Sequence, residues 1–116
     1  MTVKDIANLL SCKILCGGKN LDQEIHTACG SDLMSDVLAF VKNQAVLLTG
    51  LLNPQVIRTA EMMDIICIVF VRGKTPSEEV VSLAGGRDIV VLSTDFCMFE
   101  ACGKLYSNGL KGGNMK

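Results

Sequence analysis

The chain has 116 residues, enough for one domain that buries about two-thirds of its unfolded surface, and too few for two such cores. An apolar fraction of 49% and a charged fraction of 20% exclude a disordered chain, and aromatics at only 4% with no Trp require an aliphatic core. Formal net charge is -1 and the eleven Lys and Arg are scattered, which argues against a nucleic-acid binder that tracks phosphates with a basic face.

In chain order, Thr2 and Asp5 form a capping box ahead of Ile6, Leu9 and Leu10, predicting a helix over 3–10. Cys12–Leu15 reads as a short strand closed by Gly17-Gly18, and residues 19–24 read as a polar loop. A second short strand over Ile25–Cys29 ends at Gly30. Ser31 or Asp32 then caps a helix with Leu33, Val37, Leu38 and Val41 on one side.

From residue 45 the pattern becomes regular. Ala45–Thr49 is an unbroken apolar run followed by Gly50, and Asn53-Pro54 gives an N-cap and N1 proline for a helix burying Val56, Ile57, Ala60 and Met63. A strand over 65–71 leads to Arg72-Gly73-Lys74, and Thr75-Pro76-Ser77-Glu78 reads as a capping box opening a helix to Leu83. Gly85-Gly86 ends that helix, Ile89–Leu92 is the next strand, and Thr94 or Asp95 caps a last helix reaching Leu105.

Continuous apolar strands alternating with single helices indicate strands buried on both faces. The expected fold is a single three-layer α/β domain around a short, mainly parallel sheet, with residues 45–105 as a βαβαβα core. Residues 1–44 are expected on one edge or layer of it. The domain is expected over 1–106, with 107–116 as a flexible C-terminal tail rich in Gly, Asn and Lys.

The longest apolar run, Ile65–Val71, is far below the roughly 20 residues of a membrane span. No basic stretch leads into an apolar segment at the N-terminus, so no signal peptide is read there. With Cys67 inside an apolar strand, the six cysteines read as reduced thiols of a cytoplasmic protein. Cys12-x3-Cys16 and Cys97-x4-Cys102 lack paired-knuckle spacing and His26 is the lone histidine, so neither a metal, a cofactor nor a cysteine nucleophile is expected. Asp32 and Asp36 read as a solvated helical face.

Ligands of parallel α/β sheets bind beyond the carboxyl ends of the strands. Three such corners carry amide donors, hydroxyls and cations: Thr49, Gly50 and Asn53 with Arg58 and Thr59 one turn on; Arg72, Gly73, Lys74 and Thr75; and Ser93, Thr94 and Asp95. Together they suit a small phosphate or carboxylate ligand. The same residues also serve as ordinary caps, turns and solvated charges. Arg72-Gly73-Lys74-Thr75 is no Walker A loop, because Ile68 stands where that motif needs glycine, and no dinucleotide glycine pattern is present. The largely apolar last helix, Phe96 to Tyr106, suggests a subunit contact, most simply a two-fold homodimer.

At these corners the sequence resembles the DRTGG domain family. The resemblance runs from about residue 12 to 106 and is carried by Asp32–Ala39, by Leu47-Leu48-Thr49-Gly50 through Arg58-Thr59-Ala60, and by Val71–Pro76, continued at Ser82–Ala84 and Leu92–Thr94. The family's naming signature falls at Val71-Arg72-Gly73-Lys74, which keeps a glycine but not the full Thr-Gly-Gly. Such domains occur beside CBS pairs and are similar in fold to the non-catalytic amino-terminal domain of the kinase/phosphorylase of the histidine-containing phosphocarrier protein. A subgroup with the Asp-Leu-Met-Ser-Asp stretch is associated with iron-only hydrogenase gene neighbourhoods. The resemblance implies a non-catalytic regulatory or accessory domain binding a small anionic, nucleotide- or phosphometabolite-like ligand. The alternative is a structural or interaction domain without a ligand, docking a redox or signalling partner.

Overall fold

The computed structural model describes residues 1–40 and 44–112. Five strands form one sheet in the order β1-β5-β4-β3-β2, with β1 at Lys13–Cys16, β2 at Thr27–Gly30, β3 at Ala45–Thr49, β4 at Ile65–Phe70 and β5 at Val90–Ser93. β2 to β5 run parallel, and β1 is antiparallel to β5 with a register shift between Ile14 and Cys16. Among the described residues, five α-helices cover the sheet: α1 (Val3–Leu9), α2 (Met34–Phe40), α3 (Gln55–Met62), α4 (Glu78–Gly85) and α5 (Met98–Ser107). This is the expected three-layer α/β domain with its mainly parallel sheet.

The unbroken apolar strands are explained by what each face meets. Val46, Leu48, Val69, Val90 and Leu92 face one layer, where α1 supplies Val3 and Ile6 and α5 supplies Ala101 and Leu105. Leu47, Ile68, Phe70 and Val91 face the other, against Met34 and Val37 of α2, Val56, Ile57 and Ala60 of α3, and Val80 and Ala84 of α4. Side chains alternate between faces along a strand, so a central strand covered on both sides must be apolar at every position.

The first third of the chain is arranged differently from the expectation. Residues 1–40 do not share one edge or layer: β1 closes one edge, β2 the other, and α1 and α2 lie on opposite faces. Val41, expected on the apolar side of the second helix, lies outside the described residues, and Leu33 and Leu38 of that expected stripe are exposed. Residues 18–20 form a 3₁₀ turn within the expected loop. Gly17 enters it with φ 85° at the end of β1, where an added Cβ would stand 2.8 Å from the Val90 Cα.

Helix starts divide by local chemistry. The Thr2 hydroxyl accepts the Asp5 N–H and the Asp5 carboxylate accepts the Thr2 N–H, so the capping box forms. Asn53 Oδ1 accepts the Gln55 N–H at 2.9 Å, with Pro54 already helical. The α4 cap is Ser77, which accepts from Val80 N–H; Thr75 is not the cap, and Pro76 is buried ahead of the helix. Nor does Thr94 or Asp95 cap α5, whose N-cap is Cys97. The Thr94 hydroxyl donates instead to Leu10 O at 2.6 Å, a contact no local pattern announces.

Past α5, Leu110 packs into the first layer at 5% exposure, and Ala28 N–H donates to Lys111 O on the outer side of β2. The last four residues of the expected tail lie outside the described residues. Among the described residues, no helix is long and apolar enough to cross a membrane.

Candidate functional site

Parallel pairing brings the carboxyl ends of β2, β3, β4 and β5 to one side of the sheet, and the backbone ladder continues a residue beyond them. Ser31 N–H donates to Leu48 O, Val71 N–H to Thr49 O, and Thr94 N–H to Phe70 O. These bonds hold the three corners side by side.

The central corner is a tight turn. Lys74 N–H donates to Val71 O at 3.3 Å, and both intervening residues are left-handed, Arg72 at φ 63° and Gly73 at φ 69°. That is the signature of a type I′ turn, in which glycine is at ease and an arginine is strained. The turn is pinned to the third corner: Arg72 N–H donates to Phe96 O and Gly73 N–H to Thr94 O, each at 2.8 Å. The Ser93 hydroxyl donates to Lys74 O at 3.1 Å. Backbone contacts thus fix the turn and leave the Arg72 side chain exposed.

The first corner is organised by a residue that spacing alone did not single out. Asp32 Oδ1 accepts from the Thr49 hydroxyl at 2.9 Å and from Gly50 N–H at 2.7 Å. On the other side, the Lys74 ammonium donates to Gly50 O at 3.1 Å. A Cβ on Gly50 would lie 3.6 Å from Lys74 Nζ and 3.7 Å from each Asp32 carboxylate oxygen. A cation and an anion therefore close over the same glycine. Asp95 adds a second carboxylate, with Oδ1 3.1 Å from where a Gly73 Cβ would be.

The expected site residues therefore separate. Thr49, Gly50, Arg72, Gly73 and Lys74 are gathered at the carboxyl edge. Thr94 is turned inward to Leu10, and Asn53 spends its carbonyl oxygen on its own helix start. Thr59 is buried on α3, with no hydrogen-bond partner for its hydroxyl. Arg58 and Thr75 are exposed. Asp32 was read as a candidate cap of the second helix, as one of a helical pair with Asp36 and as part of the Asp32–Ala39 stretch, but not as a partner of Thr49 and Gly50; the usable signal was its place two residues beyond the end of β2.

The cysteines are all free thiols. Burial pushes the Cys12 thiol up to about 12 and raises Cys67 further, the opposite of what an activated nucleophile needs. Among the described residues, no group of three or more His, Cys, Asp or Glu side chains is placed to hold a metal. A shallow concavity of about 550 Å³ lies between α1 and the end of α5, lined by Met1, Asp5, Asn8, Leu9 and Asn108. It contains none of the carboxyl-edge residues, and its mixed lining offers no cationic side chain for an anion.

Known proteins share this architecture. The fold is similar to the CBS and DRTGG domains of the regulatory region of Clostridium perfringens pyrophosphatase, whose structure is of the complex with the activator diadenosine tetraphosphate. The TM-score is 0.71 at 16% sequence identity, over 90% of this chain and 45% of that one. The chain thus spans less than half of that regulatory region, and the likeness is one of fold. No curated protein matches the sequence. The family model of the DRTGG domain matches residues 5–106, taking in α1 as well as every strand and helix that builds the carboxyl edge: this chain belongs to the DRTGG domain family.

Proposed function

We propose that this DRTGG domain is a non-catalytic regulatory module that binds a small anionic ligand, of nucleotide or phosphometabolite type, at the carboxyl edge of its sheet. The observation that carries the reading is the Val71–Lys74 turn. It holds Arg72 in a left-handed conformation that costs a non-glycine residue roughly 1–2 kcal/mol, and presents its side chain to solvent beside Lys74. Backbone strain of this kind concentrates at binding sites. Thr49, Gly50, Asn53, Arg58, Thr59, Gly73, Thr75 and Thr94 complete the proposed site, with the buried Thr59 and Thr94 acting as its support. The similar pyrophosphatase region is complexed with a tetraphosphate anion, which supports an anionic effector for assemblies that contain such domains. The resemblances to the phosphocarrier kinase/phosphorylase and to hydrogenase-associated members supply a setting, accessory to a larger system in the cytoplasm, and no residue role.

Calorimetric titration with ATP, diadenosine tetraphosphate and pyrophosphate tests the reading. Binding that is lost in Arg72→Ala, with an unchanged circular dichroism spectrum, is the expected result. A wild-type domain that binds none of the three overturns it.

A second reading, a homodimer or a surface for a redox or signalling partner, is favoured by α5. Phe99 and Tyr106 lie seven residues apart on that helix, hence on one face of it, and are 82% and 61% exposed. Light scattering of the wild type against Phe99→Glu separates a dimer from a monomer.

A further inference from the structure

We propose that the Asp32 carboxylate is a built-in competitor for the anion seat at Gly50, so that ligand binds by exchanging with it. The inference rests on the anion-binding reading above and specifies how that site is regulated.

The seat is made of three groups. The Thr49 hydroxyl and Gly50 N–H converge on one oxygen at 2.9 and 2.7 Å, and the Lys74 ammonium stands over the same glycine, 3.1 Å from its carbonyl. A hydroxyl and a backbone amide converging on one point, with an ammonium close by, are a donor set that receives a phosphoryl group. Here the oxygen that the hydroxyl and the amide receive belongs to Asp32, from a neighbouring strand's exit loop rather than the seat's own, while the Lys74 ammonium is held by the Gly50 carbonyl. Its other carboxylate oxygen, Oδ2, has no hydrogen-bond partner among the described residues, and the residue is solvent-exposed. An exposed carboxylate is held weakly and rehydrates readily on release. A phosphoryl group brings more charge and more acceptor oxygens to the same donors, so it can take the place over.

The exchange is mechanically local. Ser31 is fixed on one side of Asp32, its N–H donating to Leu48 O and its hydroxyl accepting from Leu33 N–H. The freedom to swing away therefore lies in the Asp32 side chain itself, because Leu33 on its far side is tied to Ser31 as well.

The test is a titration with inorganic pyrophosphate of the wild type, Asp32→Ala, Asp32→Asn and Arg72→Ala, followed through the Gly50 amide by ¹H–¹⁵N NMR. Removing the competitor is expected to tighten binding by about tenfold, the factor matching the net worth of one charge-assisted hydrogen bond, with the Gly50 amide shifting during the titration. Asp32→Asn, which keeps an acceptor and loses the charge, is expected between wild type and Ala, and it serves alone if the Ala variant does not fold. Equal or weaker binding by both Asp32 variants, still lost in Arg72→Ala, overturns the competitor and leaves the regulatory module standing. Absence of binding in all four proteins overturns both.

Discussion

Replacing Arg72 by glycine should make the domain more stable while destroying the proposed ligand site. Arg72 has φ 63° and its N–H is held by Phe96 O, so the turn imposes the left-handed conformation whatever the side chain. That conformation costs a residue with a Cβ roughly 1–2 kcal/mol. Glycine removes the cost, but its freer unfolded chain returns about 0.4–1 kcal/mol of it. The net gain is about 0.5–1 kcal/mol. Arg72→Ala keeps the Cβ and the strain, so it gains nothing and serves as the reference. For a domain of this size about 4 °C of melting temperature corresponds to 1 kcal/mol, so the Gly variant should melt about 2–4 °C above the Ala variant. Urea denaturation followed by circular dichroism supplies the free-energy difference at constant m-value. A Gly variant no more stable than the Ala variant would refute the argument that the turn stores strain at this residue.

Three further outcomes are expected. Gly17→Ala forces a Cβ to within 2.8 Å of the Val90 Cα at a φ of 85°, and should cost about 2–4 kcal/mol. Gly18→Ala, with nothing within 4 Å of its Cβ, should lie within about 0.5 kcal/mol of wild type; equal urea midpoints for the two would contradict the packing at β5. Thr59→Val removes a buried hydroxyl that has no hydrogen-bond partner and keeps the shape, so the urea midpoint should hold or rise by up to about 1 kcal/mol in stability; a marked loss would show that the hydroxyl is paired. Iodoacetamide at pH 8, read by peptide mass spectrometry, should modify the exposed Cys97 first and Cys67 only on unfolding, since burial raises the Cys67 thiol and holds that of Cys12 at about 12. Early loss of the Cys67 thiol in folded protein would count against its burial.

The central strands were legible because their determinant is local. Ala45–Leu48 is apolar at every position, and a strand covered on both faces calls for that. Thr2 with Asp5 was legible for the same reason, and Asn53 with Pro54 located the α3 start to within a residue, the helix beginning at Gln55 with Pro54 at its cap. Thr94 was misread as a cap because its hydroxyl serves a carbonyl on the far side of the domain, at Leu10. Ser77 took the capping role from Thr75 because Pro76 is buried in the approach to α4. The direction of β1 could not be read, since four residues with a bulge pair equally well in either sense until β5 is known to be the neighbour. Asp32 was missed for a related reason. Its meaning depends on β2 lying beside β3, which places its carboxylate against Thr49 and Gly50.

The sheet order has a consequence for how the chain is made. Among the described residues β1 pairs only with β5, Lys13 opposite Ser93, so the domain's first strand finds its ladder partner in its last. α1 depends on the same partnership, because Leu10 O receives the Thr94 hydroxyl. A nascent chain emerging from a ribosome therefore cannot close the domain until its final strand is out, and a product cut short before β5 leaves β1 without a partner. Such distant pairing slows folding relative to a domain closed by neighbours. It also ties the corner at Ser93 and Thr94 to Leu10, so this edge is complete only when β1 and β5 are both in place.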